Sequence, residues 1–198
     1  MIKKTFLWIT ILSALGILSG CILPESNHIQ PDFYILSPLA DDSNESISYE
    51  ELSFYLREIE LPRYLKDSRL IFRPSANVIE FRETKRWGEP LADGIARVIS
   101  LNMQNANSSS YFSIFPNRRK ENLNWDLSIA FSSFEKVSDQ IKIEANWSAK
   151  HKSGKLISGL YAESFPHDSE GNIVDEIHLF NQGLYQMALK IVQCLSEN

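Results

Sequence analysis

Apolar and polar positions alternate most cleanly between residues 123 and 148. Leu123, Trp125, Leu127, Ile129 and Phe131 fall on one side, with Asn124, Asp126, Ser128 and Ala130 on the other. Ile141, Ile143, Ala145 and Trp147 repeat the pattern against Lys142, Glu144, Asn146 and Ser148. A period of two is that of a strand with one face buried. Gly154 marks a turn before a further strand, Lys155 to Phe165. Three successive half-buried strands predict an antiparallel meander.

The period changes elsewhere. Leu91, Ile95, Val98, Ile99 and Met103 form the stripe of an amphipathic helix. Glu89-Pro90 opens it: proline suits the first helical position, and Glu89 and Asp93 favour the positive end of the helix dipole. The pattern dissolves over Asn105 to Ser110. A second helix, Ile173 to Leu195, places apolar residues at 173, 177, 180, 184, 187, 191 and 195. Those spacings suit a helix lying across a sheet. They also suit a coiled-coil seam, although the repeat lasts only about three heptads.

Upstream, Phe33 to Leu36 reads as a first strand ended by Ser37-Pro38, and Phe54 to Leu61 as a second, closed by Pro62. Arg69 to Arg73 and Val78 to Arg82 read as a hairpin joined through Pro74 to Asn77. Tyr111 to Phe115 is a short strand. Residues 39–51 carry Asp41, Asp42, Glu45, Glu50 and Glu51, a solvated acidic loop without calcium-loop spacing. The elements predict one α+β domain.

The N-terminus has a different character. Lys3 and Lys4 precede an uncharged apolar run from Phe6 to Leu18, which ends in Leu18-Ser19-Gly20-Cys21. The run is shorter than the roughly 20 residues of a membrane-spanning helix and stops at a processing site, as in a signal peptide. Its end resembles the lipobox of bacterial lipoproteins. That resemblance implies cleavage after residue 20 and acylation of the Cys21 thiol. Residues 1–20 are then a signal peptide, 21–32 a lipidated tether and 33–198 the domain. The eleven residues Ile22 to Asp32 span roughly 36 Å when extended, enough to stand the domain off a membrane.

Cleavage removes two of the 20 basic residues and none of the 25 acidic ones, leaving 18 against 25 and a formal charge of −7. That balance argues against nucleic acid and against broad adhesion to anionic lipid, so the acyl chains must supply the membrane attachment. With Cys21 committed to lipid, Cys194 has no partner for a disulfide and is expected as a buried, inert thiol on the last helix.

Catalytic patterns are lacking. His28, His151, His167 and His178 show no paired metal-ligand spacing, and there is no nucleophile elbow, Walker loop or dinucleotide fingerprint. His167-Asp168, the nearest approach to an acid–base pair, is expected in a polar surface loop before Gly171. No cofactor or metal is implied.

Three stretches carry a recognisable pattern: IELPRYL at 59–65, RPSANVIEF at 73–81 and RWGEPLADGIARVISLNM at 86–103. Together with the lipobox they resemble the PqiC/YmbA family, lipoprotein auxiliary components of ABC-type and MCE-domain lipid-transport systems. Gly88 stands where the family commonly has alanine. The resemblance implies an α/β sandwich with a mixed, largely antiparallel sheet packed by two main helices. It also implies a non-enzymatic envelope component working with an MCE-domain (PqiB-like) protein and its inner-membrane subunit, alone or as a homo-oligomer. Ile22 follows Cys21 in place of the aspartate that retains enteric lipoproteins in the inner membrane. Under that sorting rule the address is the outer membrane, facing the periplasm. The alternative is a periplasmic lipid carrier of an ABC transporter.

Arg86-Trp87-Gly88-Glu89-Pro90 reads in two ways. Trp87 anchors the core at a strand-to-helix corner while Arg86 and Glu89 satisfy local backbone or each other, or Arg86, Trp87 and Glu89 form an exposed partner-binding hot spot.

Overall fold

The computed structural model describes residues 29–39, 52–107, 111–120, 122–168 and 171–197. The signal segment and Cys21 therefore lie outside the described residues, as does all but Leu39 of the acidic loop. From Pro31 onward the chain forms one unit.

The alternating run builds the spine of the fold. Strands β1 to β5 span Asp32–Tyr34, Ser53–Leu56, Arg69–Ser75, Val78–Trp87 and Tyr111–Ile114. The meander follows as β6 (Trp125–Val137), β7 (Gln140–His151) and β8 (Leu156–Pro166), and β6–β7 and β7–β8 pair antiparallel along their length. Helices α1 (Leu91–Ala106) and α2 (Ile173–Ser196) pack together, and α2 lies against β7 and β8. The helix-on-sheet reading of the last apolar stripe therefore holds. Among the described residues a mixed eight-stranded sheet with two α-helices makes the fold α+β.

One edge of β6 belongs to β7; the other is divided. Its beginning pairs parallel with β2 (Phe54↔Trp125), which carries β5 on its far side. Its end pairs parallel with β3 (Phe72↔Lys136), followed by β4 and then β1. The sheet forks around a single long strand.

Several boundaries differ from the sequence pattern for identifiable reasons. β2 stops at Leu56 instead of Leu61. Residues 57–60 only brush β6, through Arg57 N to Leu127 O (2.9 Å) and Glu60 N to Ile129 O (3.0 Å). β3 runs through Pro74 to Ser75, so the hairpin turn narrows to Ala76-Asn77, and β4 continues to Trp87. Pro90 is the N-cap of α1, extended at ψ 128°, with Leu91 the first helical residue.

β6 outlasts its alternation because of a bulge between Phe131 and Ser133. The extra residue shifts the phase. Phe131 opposite Ala145 and Phe134 opposite Ile143 thus face the same side, where Phe134 stacks on Phe180 of α2 at 4.5 Å.

The core lies between this face and the helices. Ile95, Val98, Ile99 and Met103 of α1 and Leu184, Met187 and Ile191 of α2 are fully buried. Cys194 is half-buried against the same core, less enclosed than its place in the periodic pattern suggests. Gly159 on β8 lies under Trp147, where an added Cβ would stand 2.8 Å from the indole ring. A rigid ring cannot give way cheaply, so Gly159→Ala is expected to cost about 1–3 kcal/mol, read by urea denaturation. A loss below a few tenths would show that β8 shifts freely.

Candidate functional site

Two residues of the signature stretches, Tyr64 and Arg73, enter a largely buried polar cluster with partners from β6. Tyr64 lies in a single 3-10 turn, Arg63–Lys66, between β2 and β3. Its hydroxyl donates to Glu135 Oε2 at 3.0 Å and accepts from Arg73 Nη2 at 2.9 Å. Arg73 also pairs with Glu135 Oε1 at 2.9 Å, and Ser133 Oγ donates to the same oxygen at 3.0 Å. Glu135 is 1% exposed, so β3, the turn and β6 are clamped around one carboxylate. Burial first, and then the charge and hydrogen bond of Glu135, push the Tyr64 phenol up to about 12.

A second cluster faces the start of α2. Arg82 Nη1 meets Glu176 Oε2 at 2.9 Å, while Glu176 Oε1 has no hydrogen-bond partner among the described residues. Nearby, Lys136 Nζ donates to His167 Nδ1 at 2.9 Å and to Asp168 O at 2.8 Å. Burial lowers the Lys136 pKa, opposed mainly by the negative charge of Glu176. His167 is therefore not a surface residue. It is 7% exposed, roofed by Gly171, whose missing side chain leaves room for the imidazole. The cluster latches the loop before α2 onto β6.

Trp87 ends β4 with 7% of its surface exposed and meets Phe180 edge-on at 6.1 Å. Arg86 is half-buried, with Nε 3.5 Å from Glu83 O. Glu89 folds over Gly94 and pairs with Arg97, which also donates to Leu36 O at 2.9 Å. The structure thus sends Trp87 inward and joins Glu89 to Arg97, not to Arg86. Two buried asparagines complete the arrangement around the chain's entry. Asn181 of α2 accepts from Ser37 N at 3.0 Å, and Asn102 of α1 accepts from Leu39 N at 3.2 Å.

Sequence reading missed Tyr64, Arg73, Arg82, Glu135, Lys136 and Glu176 as a set. Their one visible signal was charge within strands and on a helix's buried face.

Asp67 accepts three hydrogen bonds from Arg69, whose side chain and then backbone N–H hold the carboxyl down at about 2. A depressed carboxyl contributes stability above its ordinary pKa and loses it as pH falls. Stability is therefore expected to decline between about pH 4 and about pH 2 through this pair. Asp67→Asn should flatten that part of the stability–pH curve, and an unchanged slope would count against the pair.

Among the described residues no group of three or more His, Cys, Asp or Glu could hold a metal ion. The described helices include none long and apolar enough to cross a membrane. A broad groove of about 430 Å³ lies on the sheet's helix-free face, lined by Glu60, Ser128, Asn146, Ser148 and Ser158 among others. It offers hydroxyls and an amide, and a single carboxylate.

This arrangement, a forked mixed sheet backed by two helices, recurs in solved structures. An uncharacterised protein matches with TM-score 0.70 and 15% identity, over 85% of this chain and all of the other. A Xanthomonas campestris protein of the DUF330 family matches with TM-score 0.64 and 14% identity, over 83% of this chain and 94% of its own. At such identities the likeness is one of fold. A comparison with curated proteins found no match. The family model described as "ABC-type transport auxiliary lipoprotein component" matches residues 34–192. The chain belongs to that family, the PqiC/YmbA type, and is a membrane-associated lipoprotein of a transport system.

Proposed function

We propose that this protein is an outer-membrane lipoprotein of an MCE-type lipid-transport and envelope-integrity system. It is held by acyl chains on Cys21 and docks the periplasm-spanning MCE protein at that membrane. The observation that carries this reading is the Leu18-Ser19-Gly20-Cys21 lipobox ahead of a domain of the auxiliary lipoprotein family. Ile22 in place of aspartate supports the outer-membrane address.

The role is non-enzymatic. The buried charges pair chiefly with one another, Arg73 with Glu135 and Arg82 with Glu176, as suits a scaffold, and the partner-facing residues are to be sought on the surface. Of the candidate corner Arg86–Pro90, Arg86 stands half-buried beside β1, while Trp87 and Glu89 shape the corner behind it. A lipid-carrying role is less well served. The broad sheet groove has Ile129, Ala130 and Trp147 beside its serines and asparagine, but it is open and does not enclose a chain as an acyl-binding cavity would.

Co-purification in mild detergent tests the proposal. An MCE-domain protein is expected to follow the lipoprotein from membranes, and its absence from repeated preparations would refute the docking role.

A further inference from the structure

The first strand turns two large apolar side chains outward. Phe33 is 64% exposed and Ile35 57%, while the alternating Leu36 is buried and Tyr34 packs on the core. Among the described residues strand β1 is an edge strand, joined to the sheet only through β4. Ile35 lies on Gly88, where a Cβ would come within 3.1 Å of its Cγ2 atom, so the ground beneath it is flat backbone. Arg86 is the register partner of Phe33 and stands on the same face. Its guanidinium reaches Glu83 O only at the long distance of 3.5 Å.

The acids beside it are neutralised. Asp32 is paired with Lys85 at 2.6 Å, and Glu83 and Asp67, whose charge also acts on Arg86, are both bonded by Arg69. A chain whose expected mature charge is −7 thus presents here an apolar pair beside an arginine, with the three neighbouring carboxylates engaged by other cations.

We propose that Phe33, Ile35 and Arg86 form a membrane-seating patch. Its occupant is the lipid surface that holds the anchor: the apolar pair enters the headgroup boundary and the guanidinium meets lipid phosphate. This rests on acylation of Cys21.

What selects the membrane is the chain's own connectivity. Phe33 follows Cys21 by twelve residues, at most about 43 Å of extended chain, so an anchored domain has its β1 edge confined near the bilayer. Such confinement acts as a high effective concentration and makes a small patch sufficient. Leu156 and Leu160 are equally exposed, but they lie on β8, at the far side of the spine strand. The anchor does not confine them in this way.

The test uses the full acylated protein in vesicles of phosphatidylethanolamine and phosphatidylglycerol containing a phospholipid brominated high on its acyl chains. The tryptophans native to the expected mature chain, Trp87, Trp125 and Trp147, are buried and provide a common background. Phe33→Trp is compared with Leu156→Trp, and mass spectrometry reports the acyl chains on Cys21. Severalfold stronger bromine quenching at position 33 than at 156 is the expected result. Equal quenching with Cys21 acylated overturns the patch and leaves the anchor reading standing. A blue-shifted but unquenched signal from the Phe33→Trp variant indicates burial against protein and overturns it as well. An unacylated Cys21 overturns both.

Discussion

Glu135→Ala is expected to destabilise the domain by about 3 kcal/mol, lowering the urea midpoint without changing the denaturant slope. The carboxylate is 1% exposed and accepts from Tyr64, Arg73 and Ser133. Removing it leaves the partly buried Arg73 guanidinium with the neutral Tyr64 phenol in place of a counter-charge. The cost comes from that stranded charge more than from the lost hydrogen bonds. A loss below about 1 kcal/mol would place the pair among ordinary surface ion pairs and deny it the clamping role.

Glu135→Gln separates charge from shape. Two of the causes that raise the Tyr64 phenol come from Glu135, so its pKa should fall from about 12, with burial still raising it and Arg73 still lowering it. A raised phenol pKa contributes stability below about 10 that disappears as pH climbs through the folded value. The Gln variant should therefore show a narrower window of alkaline loss. An ultraviolet titration that left the phenol at its parent value would refute the pairing.

The second large effect concerns Cys21. Cys21→Ala should leave the domain folded and move the protein from the membrane fraction to the soluble one. Acyl burial is worth about 0.8 kcal/mol per methylene, and a patch of two apolar side chains cannot replace it. Loss of the anchor is expected to abolish transport support, read as failure to complement a deletion at native expression. Full complementation by the soluble variant would make the anchor dispensable and remove the basis of the docking proposal.

The periodic parts of this fold were legible from sequence because their signal is local. The α1 stripe from Leu91 to Met103 and the meander around Trp125, Leu127, Ile143 and Trp147 lie where their spacings imply. The fork was not legible, since β2 and β3 meet β6 through parallel pairings across long connections that leave no local trace. The bulge after Phe131 concealed the second half of β6 by reversing its phase. Buried polar groups were hidden because their partners are distant in sequence. Glu135, Lys136 and Glu176 look like surface charges until residues far along the chain are brought to them, and His167 reads as a loop residue until Gly171 closes over it. The candidate corner at Arg86 to Pro90 was found by its residue types, but the partner of Glu89 proved to be Arg97, one turn into the helix and beyond.

The entry of the chain into the domain has a mechanical consequence. Over a few residues it is tied to three elements at once: Asp32 to Lys85, Tyr34 O to Gly88 N, Leu36 O to Arg97, Ser37 N to Asn181 and Leu39 N to Asn102. A pull transmitted along the tether is shared among a strand and both helices instead of peeling one edge strand. Tension between an anchored membrane and a docked partner would then be borne by the whole domain, with the short β1 serving as a stress-distributing root.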